Sequence, residues 1–427
     1  MGEEKIAISH IINLITGNFL NVFIGFTMVC AGIVLLGTLL FNWITVKSDF
    51  WNSVFKTSWP NQILRIGGSF LYLMVLLGWF EGMPFADMIL DPNTGGVMAG
   101  NGGLLTTLYI TFFVGLLMLP LLTHFGSVEF IGILFGPIVQ KLFKVPGYSA
   151  VDAIASFVGD GTIGIVVTDT QYQRGYYNKR EAYVIATSFS IVGIAFASAV
   201  AEELGFSSIF PIFYGSIALI TVILAMITSR MPLNKFEATY YEGATPSTVK
   251  IPDGQSTLSY AYSQATEMAE NTSLFQAMKD ALKGVVNVYV GFLPIIMFVG
   301  TFSLIVAEYT GFFSAISAPL IPVFQLAGYS GEVAKMMAPA AVVGFADMYL
   351  PALFIGEAVS ESARFFIGVL AFTQLVFMSE TGMILVKSKI GLNFLDVIKV
   401  FVFRTILSIP LLFVITNLLV SAGVLAH

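Results

Sequence analysis

Long apolar runs separated by short polar segments dominate the chain. A helix that crosses a bilayer needs about 20 predominantly apolar residues, and about eight runs of 15 to 25 residues are candidates. They are residues 19–43, 66–80, 104–122, 182–200, 209–228, 285–306, 365–385 and 397–420. This pattern predicts an all-α integral membrane protein with about eight spanning helices.

Two further apolar stretches, residues 149–177 and 330–358, differ from simple spans because each is interrupted near its middle. Residues 159–164 (GDGTIG) break the first, and residues 344–347 (GFAD), followed by Pro351, break the second. Irregular backbone at membrane depth is tolerated only where protein or a water-filled cavity satisfies its polar groups. Both stretches are predicted to be re-entrant or broken helical hairpins, and ordinary interfacial loops are the alternative.

Lys and Arg near the ends of the spans indicate the orientation, because they are enriched in cytoplasmic loops. They follow the first span, flank the first broken stretch and occupy the long polar segment 231–282. The first hairpin should therefore enter from the inside and the second from the outside. Lys335 and Arg364 depart mildly from the rule. The polar segment is predicted to be a mobile cytoplasmic linker whose last part forms an amphipathic helix.

The order of elements recurs on either side of this linker. Each copy has a span, a shorter apolar segment, a Gly-Tyr-Ser triplet (147–149 and 328–330), a broken stretch and a further span. Since the first span of each copy runs in the opposite direction, the copies form an inverted repeat, as in many secondary transporters. The predicted organisation is N-terminal spans in 1–103, a first repeat in 104–230, the linker in 231–282 and a second repeat in 283–427.

Composition narrows the class of protein further. Of the 427 residues, 56% are hydrophobic and 11% are charged, which is too little charge to cover a water-facing surface. A net charge of −6 offers no basic field for a nucleic acid. The single Cys30 and three scattered histidines exclude disulfide frameworks and His- or Cys-based metal centres. The expected partners are the lipid bilayer and a small polar solute. The expected location is the inner (cytoplasmic) cell membrane, with multiple passes and with a homo-oligomer left open.

The repeated helix, Gly-Tyr-Ser triplet, glycine-broken hairpin and following span resemble the nucleoside-recognition or Gate domain. The whole layout resembles the YjiH-type membrane proteins, which carry two such domains, over residues 104–230 and 283–420. The resemblance implies a transport-like fold and distant kinship to concentrative nucleoside transporters, in which two re-entrant hairpins and two unwound helices build the site. The chain lacks the extended motifs of those transporters, so a nucleoside is one candidate cargo among related metabolites.

An acidic residue at bilayer depth carries a high free-energy cost unless it is paired or hydrated. Acidic residues at that depth are therefore functional candidates. Asp160 and Asp347 lie in the two hairpin breaks as candidate ligands of a coupling ion or solute, or as caps of half-helices. Glu380 could carry a proton or bind sodium, or could lie near the inner surface beside Lys387. Tyr349 could bond a solute or only pack. The candidate binding set is Gly159, Asp160, Gly161, Thr162, Gly164, Ser188, Asp347, Tyr349, Gln374, Glu380 and Thr381.

The sequence contains no enzyme signature. A nucleophile with a positioned base, a zinc-protease motif and a phosphate-binding loop are all missing, so neither an enzyme nor an ATP-driven pump is expected. The favoured function is an ion-coupled secondary transporter of a small polar solute, coupled to Na⁺ or H⁺ and without another cofactor. A structural or signalling membrane protein that keeps a Gate fold, and a passive channel, are the alternatives.

Overall fold

The computed structural model describes residues 7–426 except 42–46, 101–102, 104, 107, 111, 114–116, 118–124, 159–160, 190–192, 232–235, 247–250, 252–253, 357 and 379–380. Every regular element in the described residues is helical. The predicted all-α membrane architecture is confirmed. The predicted span 104–122 falls largely outside the described residues.

The helices before the first hairpin are α1 (Ala7–Leu40), α2 (Asp49–Phe55), α3 (Trp59–Leu77), α4 (Pro84–Leu90), α5 (Val97–Ala99) and α6 (Ser127–Phe143). The first hairpin consists of α7 (Ser149–Val158) and α8 (Gly161–Gln173), and the next three helices are α9 (Lys179–Ser188), α10 (Ile194–Glu203) and α11 (Phe210–Arg230). Single helical turns lie at Pro92–Gly96, Ser207–Ile209 and Ala318–Leu320.

The second half begins with α12 (Thr257–Glu270), α13 (Leu274–Gly291), α14 (Leu293–Tyr309), α15 (Phe312–Ser317) and α16 (Ile321–Leu326). The second hairpin, α17 (Gly331–Val343) and α18 (Leu350–Ile355), precedes α19 (Glu361–Gln374), α20 (Thr381–Lys387) and α21 (Phe394–Ser421). Part of the linker is thus helical, as predicted. Helix α12 packs against α6, where Gly126 meets the backbone of Ala265.

Four helical stretches in the described part of the chain are long and apolar enough to cross a bilayer: Leu20–Leu40, Ser207–Arg230, Leu274–Val306 and Phe394–Ser421. Two predicted single spans, 182–200 and 365–385, differ from the prediction because each is split into two helices. A hydropathy average extends across a short break when the break itself is apolar, as at 375–378. Two unwound helices are what the family resemblance implies.

The two hairpins approach the broken helix α19–α20 from opposite ends. The second hairpin leads directly into Glu361, the first residue of α19. The base of the first hairpin lies at the far end, where Asp169 Oδ1 of α8 accepts the Lys389 N–H at 2.7 Å. Helices α19 and α20 have 14 and 7 residues, or about 30 Å of helix, which matches the bilayer core. Contacts at opposite ends of the broken helix are compatible with the inverted repeat, which stays a prediction from the sequence.

A close helix crossing joins α3 to α14. Gly68 of α3 lies against the Pro294 carbonyl, and a Cβ at Gly68 would overlap that oxygen. The neighbouring Gly67 packs against the Phe298 ring, which a Cβ would approach within 2.5 Å. Small residues of this kind let helix backbones approach closely in membranes. The pair anchors the N-terminal helices to the start of the second repeat.

Gly68→Ala should destabilise the protein by about 1–3 kcal/mol, because the new methyl group overpacks the crossing and the facing atom is backbone. Thermal unfolding of the purified protein measures the effect. Gly215→Ala in α11 is the matched control, since nothing lies within 4 Å of a Cβ there. It should be neutral or slightly stabilising. Equal melting temperatures for the two variants would contradict the close crossing.

Candidate functional site

The tip of the second hairpin, residues 344–349, meets the break between α19 and α20. The Met378 N–H in the break donates to the Phe345 carbonyl at the tip at 2.8 Å. Beside this contact, the Gln374 amide donates to the Ala341 carbonyl of α17 at 2.9 Å. The break and the hairpin tip therefore form one hydrogen-bonded unit.

Gln374, the last residue of α19, is 1% exposed. Its Nε2 donates to the Ala341 carbonyl and to Thr405 Oγ1 of α21, the latter at 3.0 Å. Its Oε1 is buried and accepts no hydrogen bond. A Cβ at Gly344 would come 2.5 Å from this oxygen, so glycine leaves the space beside it. The unused acceptor at the hairpin tip is a candidate contact for a donor group of a solute.

Thr381 closes the break itself. Leu375 has a φ of +67°, a left-handed conformation that interrupts the helix. The Thr381 hydroxyl donates to the Leu375 carbonyl at 3.1 Å and accepts the Phe377 N–H at 3.2 Å. Thr381, which the sequence identified as a candidate binding residue, satisfies two backbone groups that the break leaves without helical partners.

Asp347 and Tyr349 tie the hairpin tip to α18 and α10. Asp347 is buried, and its Oδ1 accepts the Tyr349 N–H at 2.8 Å, immediately before α18 begins. This bond to the second following residue is an Asx turn that leads into α18, whose N-cap position is Tyr349. The Tyr349 hydroxyl donates to Glu203 Oε2 at 3.1 Å, and its ring packs edge-on against Phe196 at 6.0 Å. Tyr349 thus combines packing with a polar contact.

The tip of the first hairpin lies outside the described residues. Gly159, Asp160 and Glu380 belong to the parts of the chain that are not described. Helix α8 begins at Gly161 with Thr162 in its first turn. Gly164 is buried in this helix.

Inside the first hairpin a buried carboxylate lies between the arms. Asp152 of α7 is 1% exposed, and its Oδ2 lies 3.0 Å from Thr168 Oγ1 of α8. The same hydroxyl donates to the Gly164 carbonyl at 2.8 Å. Sequence reasoning missed Asp152, although an aspartate in the apolar arm of a predicted hairpin is a usable signal.

Ser188, the last residue of α9, faces α11, where its Oγ lies 2.7 Å from Thr228 Oγ1. One residue earlier, the Thr187 carbonyl accepts from Arg404 Nη1 at 3.2 Å. Arg404 Nε also donates to the Thr373 carbonyl of α19 at 2.8 Å. Sequence reasoning missed Arg404, which lies in the predicted span 397–420 and could have been found as an arginine in the middle of an apolar run.

The structure brings part of the predicted set together. Asp347, Tyr349, Gln374 and Thr381 surround the junction of the second hairpin and the break between α19 and α20. Through Arg404 the end of α9, which carries Ser188, joins this junction. An unused amide oxygen and buried hydroxyls at this junction can bind a polar solute or a cation.

Thr381→Val should destabilise the protein by about 1–3 kcal/mol, because the Leu375 carbonyl and the Phe377 N–H lose their buried partner. Thr381→Ser retains the hydroxyl and should remain close to the natural protein. Thermal unfolding in detergent compares the two. If the serine variant loses as much stability as the valine variant, the hydroxyl does not hold the break.

Comparisons with known proteins come from sequence and from fold. The Gate family, described as nucleoside recognition, matches residues 105–207. An uncharacterized protein of Alkalihalophilus pseudofirmus is 38% identical over 374 residues, which cover 87% of this chain and 78% of that protein.

Solved structures of the concentrative nucleoside transporter CNTnw are also similar. A substrate-bound, inward-facing structure has a TM-score of 0.44 at 12% identity, with 96% of this chain and 99% of that chain covered. An outward-facing double variant has a TM-score of 0.47 at 11% identity, with 96% and 100% covered. The sequence relationship decides the family: the chain belongs to the same family as the Alkalihalophilus protein, and it carries a nucleoside-recognition Gate domain.

Proposed function

We propose that this protein is a secondary transporter that carries a small polar solute across the cell membrane. The observation that supports this most is the junction of the second hairpin with the broken helix α19–α20. The order of elements that recurs in the two halves of the sequence extends this arrangement to the first hairpin. Such inverted repeats place the solute near the bilayer midplane, and they can exchange two similar arrangements that open to opposite sides. The Gate domain supports the same function.

The binding site in this proposal lies between the two hairpin tips. Gln374 offers its free Oε1, while Asp347 and Tyr349 shape the tip of the second hairpin. The first hairpin contributes its glycine-rich tip, in which Gly159, Gly161 and Gly164 allow close backbone approach and Asp160 and Thr162 supply polar groups. Ser188, which bonds to Thr228 of α11, and Thr381, which holds the break between α19 and α20, complete the candidate set.

The cargo we favour is a nucleoside or a related metabolite, because the Gate family is described by nucleoside recognition. Its ring hydroxyls and amides would donate to acceptors such as the Gln374 Oε1. Coupling to Na⁺ or H⁺ belongs to the same proposal, with Glu380, Asp160 and Asp347 as the groups that would respond to the ion. The proposed location is the inner (cytoplasmic) membrane of the cell.

A membrane protein that keeps the Gate fold without transport is the second candidate. The Alkalihalophilus relative carries no assigned activity, so the family relationship alone leaves this candidate open. Uptake of labelled nucleosides, bases and amino acids into proteoliposomes separates the two. A transporter gives saturable uptake that depends on a Na⁺ or H⁺ gradient, whereas a non-transporting protein gives no flux with any of these solutes.

For the solute that is taken up, Gln374→Met should raise the KM about tenfold, the equivalent of one lost hydrogen bond at about 1.4 kcal/mol. Methionine keeps the volume of the side chain and removes its acceptor. The surface variant Glu332→Gln is the control, since Glu332 is 85% exposed and pairs only with Lys335. An unchanged KM in a stable Gln374→Met protein would remove Gln374 from the binding site.

Asp347→Asn, Asp160→Asn and Glu380→Gln test the coupling ion one residue at a time. Each keeps the shape of the side chain and removes its charge, so the residue that carries coupling should lose gradient-dependent uptake. Exchange of solute between equal concentrations on both sides should persist in that variant. Gradient-dependent uptake that is unchanged in all three variants would contradict the assignment of these acids.

A further inference from the structure

Among the described residues, Arg404 is a buried cation without a carboxylate partner. It lies in the middle of α21 and is fully buried at 0% exposure. The ion pairs in the described part of the chain join Lys283 to Asp280, Lys335 to Glu332 and Lys399 to Asp396, and none involves Arg404. A charge within a membrane protein is costly unless polar groups around it compensate. The identity of those groups therefore indicates what Arg404 does.

The compensating groups are the carboxyl ends of two half-helices. Arg404 Nε donates to the Thr373 carbonyl at 2.8 Å, and Nη1 donates to the Thr187 carbonyl at 3.2 Å. Thr373 and Thr187 are the second-last residues of α19 and α9. The last four carbonyls of a helix lack helical partners, and the helix dipole makes this end negative.

At the end of α19 the free carbonyl is a consequence of the break. In a continuous helix the Phe377 N–H would bond to the Thr373 carbonyl, four residues earlier. Here that N–H donates to the Thr381 hydroxyl instead. The Thr373 carbonyl is thereby released for the guanidinium of Arg404. The break and the arginine are thus parts of one arrangement.

Little space remains beside the guanidinium. Arg404 lines a void of about 10 Å³ together with Thr187, Ser188 and Thr228. That volume admits a single water molecule and no larger solute. The Nη2 atom, which has no protein partner, can be hydrated there. Arg404 therefore fills the space between the two half-helix ends instead of presenting its charge to a cargo.

In transporters built on broken helices, the carbonyl ends of half-helices are also the groups that coordinate a coupling cation. We propose that Arg404 is a built-in cation: its guanidinium occupies the negative ends of both broken helices, holds α9 and α19 together, and takes the place of a metal ion there. The consequence of this role for ion coupling rests on the proposed transport function. If the protein transports a solute, the ion that drives transport binds at another position, such as the acidic residues of the hairpins.

Replacement of the side chain tests this role without any transported solute. Arg404→Ala leaves two helix ends without a cation, so the melting temperature of the full chain in detergent should fall by about 5 °C or more. Added Na⁺ or methylguanidinium should restore much of the loss in a concentration-dependent way, compared with choline at equal ionic strength. A loss that no cation restores, or no loss at all, would overturn the proposal.

Arg364→Ala is the matched control for the cation effect. Arg364 donates to the Leu204 carbonyl at 2.9 Å, but it lies in the first turn of α19 and is only half-buried. The Arg364→Ala variant should lose less stability than Arg404→Ala. Added cations should raise its melting temperature no more than they raise that of the natural protein. Recovery equal to that of Arg404→Ala would mean that the cation acts elsewhere, and it would overturn the assignment.

A pair of larger substitutions keeps the test decisive if the alanine variant does not fold. Arg404→Lys retains the charge, whereas Arg404→Met retains the volume. The fall in melting temperature should therefore be less than half as large for the lysine variant as for the methionine variant. Equal losses would overturn the electrostatic role. These measurements hold whether or not the protein transports a solute, so failure of the transport proposal is recognised separately from failure of this one.

Discussion

The need to satisfy backbone polar groups inside the membrane dominates this structure. A helix that breaks within a bilayer leaves free N–H and C=O groups on both sides of the break, where no bulk water is at hand. In the break between α19 and α20, the Thr381 hydroxyl takes two of these groups, and the Phe345 carbonyl and the Arg404 guanidinium take one each. The break is stable because three different elements complete it.

The same contacts connect the two halves of the chain. Arg404 reaches the carbonyl of Thr187, 217 residues earlier, and Tyr349 of the second hairpin reaches Glu203 at the end of α10. In the opposite direction, Asp169 of the first hairpin binds the backbone of Lys389. Each hairpin is thus tied to the broken helix of the other repeat. A motion of one repeat must exchange hydrogen bonds with the other, which is the coupling that the proposed transport cycle needs.

Much of the architecture follows from local features of the sequence. The long helices α1, α11 and α21 match apolar runs, and the second hairpin matches a glycine- and proline-interrupted run, because hydropathy and backbone preference act over a few residues. The splits in 182–200 and 365–385 were not recognised, since the residues at the second break are themselves apolar. Among the candidate site residues, Gln374 and Thr381 were found as polar groups in apolar spans. Their partners, Ala341, Thr405 and Leu375, carry no signal of their own.

By itself the sequence determined that this chain lies in a membrane, that the order of elements recurs in its two halves, and which polar residues stand in apolar runs. Only the tertiary structure decided what those residues do: Thr381 closes a break, Asp347 binds the backbone just before the return arm of a hairpin, and Arg404 joins two helix ends. The reason is that hydropathy and helix breaking are properties of neighbouring residues. A hydrogen bond between Arg404 and Thr187 depends instead on how helices far apart in the chain pack together.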